Sequence, residues 1–350
     1  MAVAARPFPR VEARATPRVH PAVWLAVAAG LLRYGGAVWD VSWHRTVGRD
    51  AFWTPPHALL YLGVALGLTA AAWAASEVAF ADGWRRALRS PYLLPLLGGA
   101  VMVIAAPIDD AWHRAFGKDV DIWSPPHLIA VFGSAMSVLG WLRVVRNGGP
   151  RWLGWFLGGL LLYAGWFALN WYHMAAASRD ALAYPALAAG LLFFLLAVAQ
   201  DDRAPRGWRT AIALAFVVAA ALPVVVLPPL GWRAPAAPPL LVVPALALDL
   251  LDRRLAHVPP LRRQLADGAL FALLFVAVEW LRFALVPAPA AYGEDLVVVG
   301  PYLRWAQAHP WSPGQVALGL PLAVGAAGIA SLAAAPTRRM LDGWFGTAER

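Results

Sequence analysis

Two stretches, DVSWHRTVGRDAFWTPPH at 40–57 and DDAWHRAFGKDVDIWSPPH at 109–127, carry nearly the same text. Each offers an Asp, a His four residues later and a second His just after a Thr/Ser-Pro-Pro step: Asp40, His44 and His57, then Asp109, His113 and His127. Each stretch lies between two apolar segments, so the unit is a helix, a short loop and a helix. Asp and His four apart share one helical face. Thr54 and Ser124 are good N-caps, and Pro55 and Pro125 suit a first helical position, whose N–H has no partner in any case. The second His is thereby expected in the first turn of the following helix, so that each trio converges where a hairpin ends.

Working outward, the chain has 350 residues, 60% of them hydrophobic and 14% charged, with a mean hydropathy of +0.58. These values belong to polytopic membrane proteins. A span needs about 20 mostly apolar residues. About ten such segments are present, near 21–39, 56–76, 91–108, 126–146, 152–174, 181–199, 210–229, 236–251, 267–287 and 315–335. The expected fold class is all-α, a polytopic membrane protein of about ten transmembrane helices built from repeated helical hairpins. The pair over 210–251 is the weakest of these, because Pro228, Pro229, Pro238 and Pro239 interrupt it.

The expected organisation is an arm over 1–20, disordered and cytoplasmic, one transmembrane domain over 21–336, and a cytoplasmic tail over 337–350. Hairpins fall near 21–76, 91–146, 152–199, 210–251 and 267–335. The motif decays along them. The third hairpin keeps Asn170-Trp171-Tyr172-His173, and the last keeps Glu279-Trp280 and a Trp311-Ser312-Pro313-Gly314-Gln315 helix start in which the His is lost. Residues 1–20 lack the apolar stretch of a signal peptide.

Net charge is +9, but its distribution argues against nucleic acid. Twenty of the 29 basic residues fall in the N-terminal arm, the loops after even-numbered spans and the C-terminal tail. This is the positive-inside pattern. It predicts a multi-pass protein of the bacterial inner membrane, both termini cytoplasmic and both Asp/His/His loops on the outer face, with the lipid bilayer as its surroundings. Absence of cysteine excludes disulfides, Fe–S clusters and thiolate metal sites.

Two His and one carboxylate suit copper, iron or zinc. The spacing Asp-x3-His-x12-His, repeated as Asp-x3-His-x13-His, points to metal binding more than to chance; hairpin-tip charges that simply pair are the plainer alternative. His20 and His257 fall in the arm and an inner loop and read as solvated. Glu279 lies inside an apolar span, with Arg282 one turn on to neutralise it. Arg33 is expected to pair with Asp40 or another outer carboxylate.

The first motif resembles the metal-binding motif of the C subunit of copper membrane monooxygenases, the particulate methane and ammonia monooxygenases. That family carries an Asp-x-x-Trp-His start, an Arg-Asp in the loop and a Thr-Pro-x-His helix opening. Here these read Asp40-x-x-Trp43-His44, Arg49-Asp50 and Thr54-Pro55-Pro56-His57. The resemblance implies copper at Asp40, His44 and His57, partner membrane or periplasmic subunits, and oxidation of a small apolar substrate with O2. The family's downstream Asn-x3-His pair has its nearest match in Asn170-x2-His173, one residue short. A second complete trio is not part of the family's pattern. Two other functions compete: a non-catalytic metal-handling, transport or accessory membrane subunit, and a zinc-dependent membrane hydrolase with Asp50 or Asp119 as general base.

Overall fold

The computed structural model describes residues 19–47, 51–116, 124–146, 148–169, 182–200, 205–233, 235, 237–252, 254, 257–285 and 311–345. Asn170 and His173, like Asp50 and Asp119, lie outside them. Among the described residues there is no strand. The helices are α1 (Pro21–Thr46), α2 (Pro55–Asp82), the short α3 (Trp84–Ala87), α4 (Leu93–Phe116), α5 (Pro125–Arg146), α6 (Arg151–Leu169), α7 (Ala183–Val198), α8 (Trp208–Val226), α9 (Val242–Leu251), α10 (Pro260–Leu285) and α11 (Pro313–Phe345). Eight are long and apolar enough to cross a membrane, and α7 and α9 are shorter apolar helices. The chain is an all-α polytopic membrane protein.

Proline sets many of the starts. Helices α1, α2, α5, α10 and α11 all begin on one, where the ring's fixed φ fits and no hydrogen bond is lost. Thr54 caps α2, with the His57 backbone N–H donating to its Oγ1 at 3.3 Å. The Ser312 start of α11 folds as a reciprocal box: the Ser312 N–H donates to Gln315 Oε1 at 3.0 Å and the Gln315 N–H to Ser312 Oγ at 3.3 Å. Where the two trios have a His, this copy has a Gln engaged in capping.

The prolines of 210–251 act as expected breakers. Helix α8 ends in a single 3-10 turn over Pro228–Leu230, and α9 has only 10 residues. The stretch between them closes over the C-terminal end of α1. Ser42 Oγ donates to the Arg233 carbonyl at 2.7 Å, and the Arg233 N–H donates to Thr46 Oγ1 at 3.1 Å. Trp232 stacks on Trp43 with ring centres 5.7 Å apart and meets Trp39 edge-on at 5.8 Å.

Helices α1, α2, α4 and α5 form a four-helix group, α1 on α2, α4 on α5, α2 on α4 and α1 on α5, with α6 against α5. The duplication seen in the motifs extends into its packing. A side chain at Gly63 would sit 2.6 Å from the Arg33 backbone N and 2.7 Å from the Ala29 carbonyl. At Gly133 it would sit 2.7 Å from the Gly98 carbonyl and 3.0 Å from Met102. Positions 29 and 33 correspond to 98 and 102 by the offset that relates Asp40 to Asp109. Both hairpins therefore close on a glycine at the same place, bringing the helix backbones into contact.

The remaining helices pack as a second group, α7 with α10 and α11 and α9 with α8 and α10. Glu279 is completely buried there. Arg282 holds it in a two-pronged pair, Nε to Oε1 at 2.9 Å and Nη2 to Oε2 at 2.6 Å, and Tyr184 donates to Oε2 at 3.1 Å. The expected neutralisation is present, and the donors from Arg282 and Tyr184 fit a structural role.

Candidate metal centres

Each trio is assembled within its own hairpin. Asp40 and His44 lie one turn apart near the end of α1, and His57 lies in the first turn of α2. His44 Nε2 stands 3.5 Å from Asp40 Oδ2, and His57 Nε2 stands 3.3 Å from Oδ1. The second trio repeats this atom for atom, with His113 Nε2 3.4 Å from Asp109 Oδ2 and His127 Nε2 3.3 Å from Oδ1. In each, one donor atom per residue can be chosen so that all three lie within 4.8 Å of one another.

These separations are informative. A good N–H···O bond spans about 2.7–3.2 Å. Two ligand atoms on one tetrahedral ion, each about 2.0–2.2 Å from it, stand about 3.3–3.5 Å apart. Asp40 Oδ1 and Asp109 Oδ1 are also buried without a hydrogen-bond partner among the described residues. A buried acceptor left open is costly, and a cation between carboxylate and imidazoles would satisfy it.

The outer shell supports the same reading. His57 Nδ1 lies 3.0 Å from the Ala51 carbonyl. A carbonyl can only accept, so Nδ1 carries the proton and Nε2 is the ring atom turned to Asp40. Metal-binding histidines are commonly oriented this way. His127 Nδ1 has Ser124 Oγ 3.1 Å away, so the residue at the capping position steadies the ring. The sites differ in exposure. Side chains of Asp40, His44 and His57 are 9%, 13% and 12% exposed, against 18%, 16% and 22% for Asp109, His113 and His127. The second site is the more open to water.

Of the Asp109-Asp110 doublet, only Asp109 faces the histidines. Asp110 pairs with Arg114 one turn on. Arg33 does not pair as expected. It lies two turns before Asp40, about 10 Å along the axis, and among the described residues no carboxylate meets it. His20 is also not the solvated residue expected. Its Nδ1 accepts from the Ala22 N–H at 3.1 Å, capping α1, and its Nε2 meets Glu77 Oε2 at 2.8 Å.

Both trios border one cavity of about 370 Å³, reached by Asp40 and His57 on one side and Asp109 and His127 on the other. Its walls are mostly apolar, with Val64, Met102, Val131 and Phe167 among them. Phe52, Trp53 and Tyr61 cluster beside His57, Tyr61 with its ring centre 5.8 Å from the imidazole. Sequence reasoning missed this cavity, the Ala51 carbonyl, Tyr61 and Trp232. Trp232 had one signal, a lone aromatic in a proline-rich segment.

Fold and site together define a membrane-spanning helical protein with two residue groups able to hold metal ions. The chain matches no family model, and neither a curated protein nor a solved structure matches it significantly.

Proposed function

We propose that this protein is a membrane metalloprotein with two copper centres, related to the C subunit of copper membrane monooxygenases, that oxidises a small apolar substrate with O2. The observation that carries the reading is the twice-built trio, in which each carboxylate turns one oxygen to each imidazole and leaves a buried oxygen unsatisfied. Asp40, His44 and His57 would hold one ion, and Asp109, His113 and His127 the other. Three ligands leave coordination positions open. Bound copper would supply the redox chemistry that O2 activation needs.

The chain's own residues would do the rest. The Ala51 carbonyl and the Ser124 hydroxyl fix the imidazoles of His57 and His127. Tyr61, Val131 and Phe167 present an apolar wall to the substrate beside both trios. The arginine-rich ends lie opposite the trios along the helices, which favours trios on the outer face and termini in the cytoplasm of a bacterial inner membrane. Clustering of both trios at one end of the bundle disfavours a path through the membrane, for which midplane sites are expected.

The test is elemental analysis with electron paramagnetic resonance on the purified protein and its His57→Ala/His127→Ala variant. Stoichiometric copper with nitrogen hyperfine structure, lost in the variant, supports the reading. Zinc alone transfers it to a hydrolytic or metal-handling role. No metal after reconstitution refutes it. A reporter fused at the C-terminus checks the orientation, with a periplasmic signal overturning it.

A further inference from the structure

Arg33, Arg143 and Arg209 are 6%, 8% and 8% exposed, and the Arg282 side chain is 12% exposed. Three of these four have carboxylate partners. Arg143 meets Asp342 at 2.5 Å, Arg209 meets Asp252 at 3.3 Å and Asp249 at 3.5 Å, and Arg282 meets Glu279 at 2.6 Å. Arg33 meets none among the described residues. Its Nε is buried without a hydrogen-bond partner, and its guanidinium carbon stands 5.2 Å from the centre of the Tyr34 ring. The Tyr34 hydroxyl is engaged elsewhere, donating to the Leu160 carbonyl at 3.2 Å and accepting from Ser134 Oγ at 3.1 Å.

An unpaired cation inside an apolar span is costly and marks function more often than packing. The repeat argues against packing too. The position matching Arg33 in the second hairpin is Met102, and the same glycine contact forms there around an uncharged side chain. Arg33 also lines the cavity that both trios border, about 10 Å below Asp40 along α1. The cavity is thus apolar in its walls, cationic at one end and flanked by the candidate metal centres at the other. Its volume falls within the range of small-ligand sites.

We propose that this cavity binds an amphipathic carboxylate. Its carboxylate pairs with Arg33, and its apolar body runs along Val64, Met102, Val131 and Phe167 towards the two trios. A guanidinium offers two parallel donors that match the two oxygens of a carboxylate. One guanidinium balances one carboxylate charge, whereas a phosphate monoester brings up to two negative charges into the same apolar surroundings. Arg33 stands near the middle of α1, deeper than the head groups of a bilayer. The proposal rests on the metal-centre reading only for what the far end of the ligand faces; the binding itself needs no metal.

The test uses the full chain in lipid nanodiscs, stripped of metal with a chelator, titrated calorimetrically with octanoate, octanol and octyl phosphate against empty discs. Octanoate should bind the wild type and bind Arg33→Gln at least tenfold more weakly, while octanol binds both alike, which also shows that the variant is folded. Arg33→Lys keeps the charge without the fork and should also weaken octanoate. Val131→Trp, which fills the cavity and leaves the charge, should weaken octanoate and octanol together. Equal octanoate affinity in wild type and Arg33→Gln, or no octanoate binding, overturns the proposal, as does an Arg33-dependent preference for octyl phosphate. Metal content of the wild type before stripping separates the two readings. A chain that loads metal but ignores octanoate defeats only the carboxylate site, and one that binds octanoate without ever holding metal defeats only the metal centres.

Discussion

Replacing Asp40 by Asn tests the first centre with the least disturbance of shape. The amide has the size of the carboxylate, so the packing of α1 on α2 is kept, but the charge and one strong ligand atom are lost. Four-ligand structural zinc sites are worth about 10–16 kcal/mol, so one ligand contributes about 2.5–4 kcal/mol. The amide oxygen remains a weak ligand, and we expect at least a 100-fold loss of affinity at this centre, about 2.7 kcal/mol. The consequence for stability follows by linkage. Free metal at 1,000 times its dissociation constant stabilises the fold by about 4.1 kcal/mol, and at 10 times by about 1.4 kcal/mol. The assay is competition against a chromophoric chelator, with thermal unfolding at fixed free metal alongside. Asp40→Asn should surrender one equivalent to the chelator and lose most of one site's share of the metal-induced rise in Tm; Asp109→Asn should do the same at the other centre. If Asp40→Asn keeps both equivalents at wild-type affinity, the geometric argument built on the 3.3 and 3.5 Å separations is wrong.

Other outcomes follow from single contacts. Ser124→Ala frees the His127 ring and should weaken metal at the second centre by about 10–100-fold while leaving the first alone, read by the same chelator titration. Glu279→Gln leaves the buried Arg282 without its counter-ion and should cost about 3–5 kcal/mol; unfolding in mild detergent measures it, and a loss below 1 kcal/mol would remove the pair from the structural account. Gly63→Val forces a side chain against the α1 backbone and should destabilise by about 1–3 kcal/mol, whereas Gly154→Val, with nothing within 4 Å of the added carbon, should be near neutral in the same unfolding experiment.

The trios were legible because their information is local. An Asp–His spacing of four on a helix, and a cap-proline start that fixes the next His, place three side chains within one short connection. The Asp109-Asp110 choice followed from the same spacing. Arg33 was misjudged although spacing contained the answer: seven residues put it on the face of Asp40 but two turns away, beyond the reach of an ion pair. The cavity depends on how four helices meet, and no local pattern encodes that. Trp232 and Arg233 reach α1 from nearly two hundred residues away. They belong to a stretch whose prolines announced only an interruption. The Gln315 cap shows how a decayed repeat keeps its backbone role after its chemistry is gone.

Each centre is complete within one hairpin, its outermost ligands 17 and 18 positions apart in the chain. An ion held between Asp40 and His57 acts as a cross-link between two consecutive helices. Closing so short a loop removes conformations the bare hairpin would otherwise sample. The first hairpin could therefore be clasped as soon as its two helices have entered the membrane, and the second likewise, without waiting for the rest of the chain. Metal supply during synthesis would then influence how many molecules reach the folded state, as well as how many are active once there.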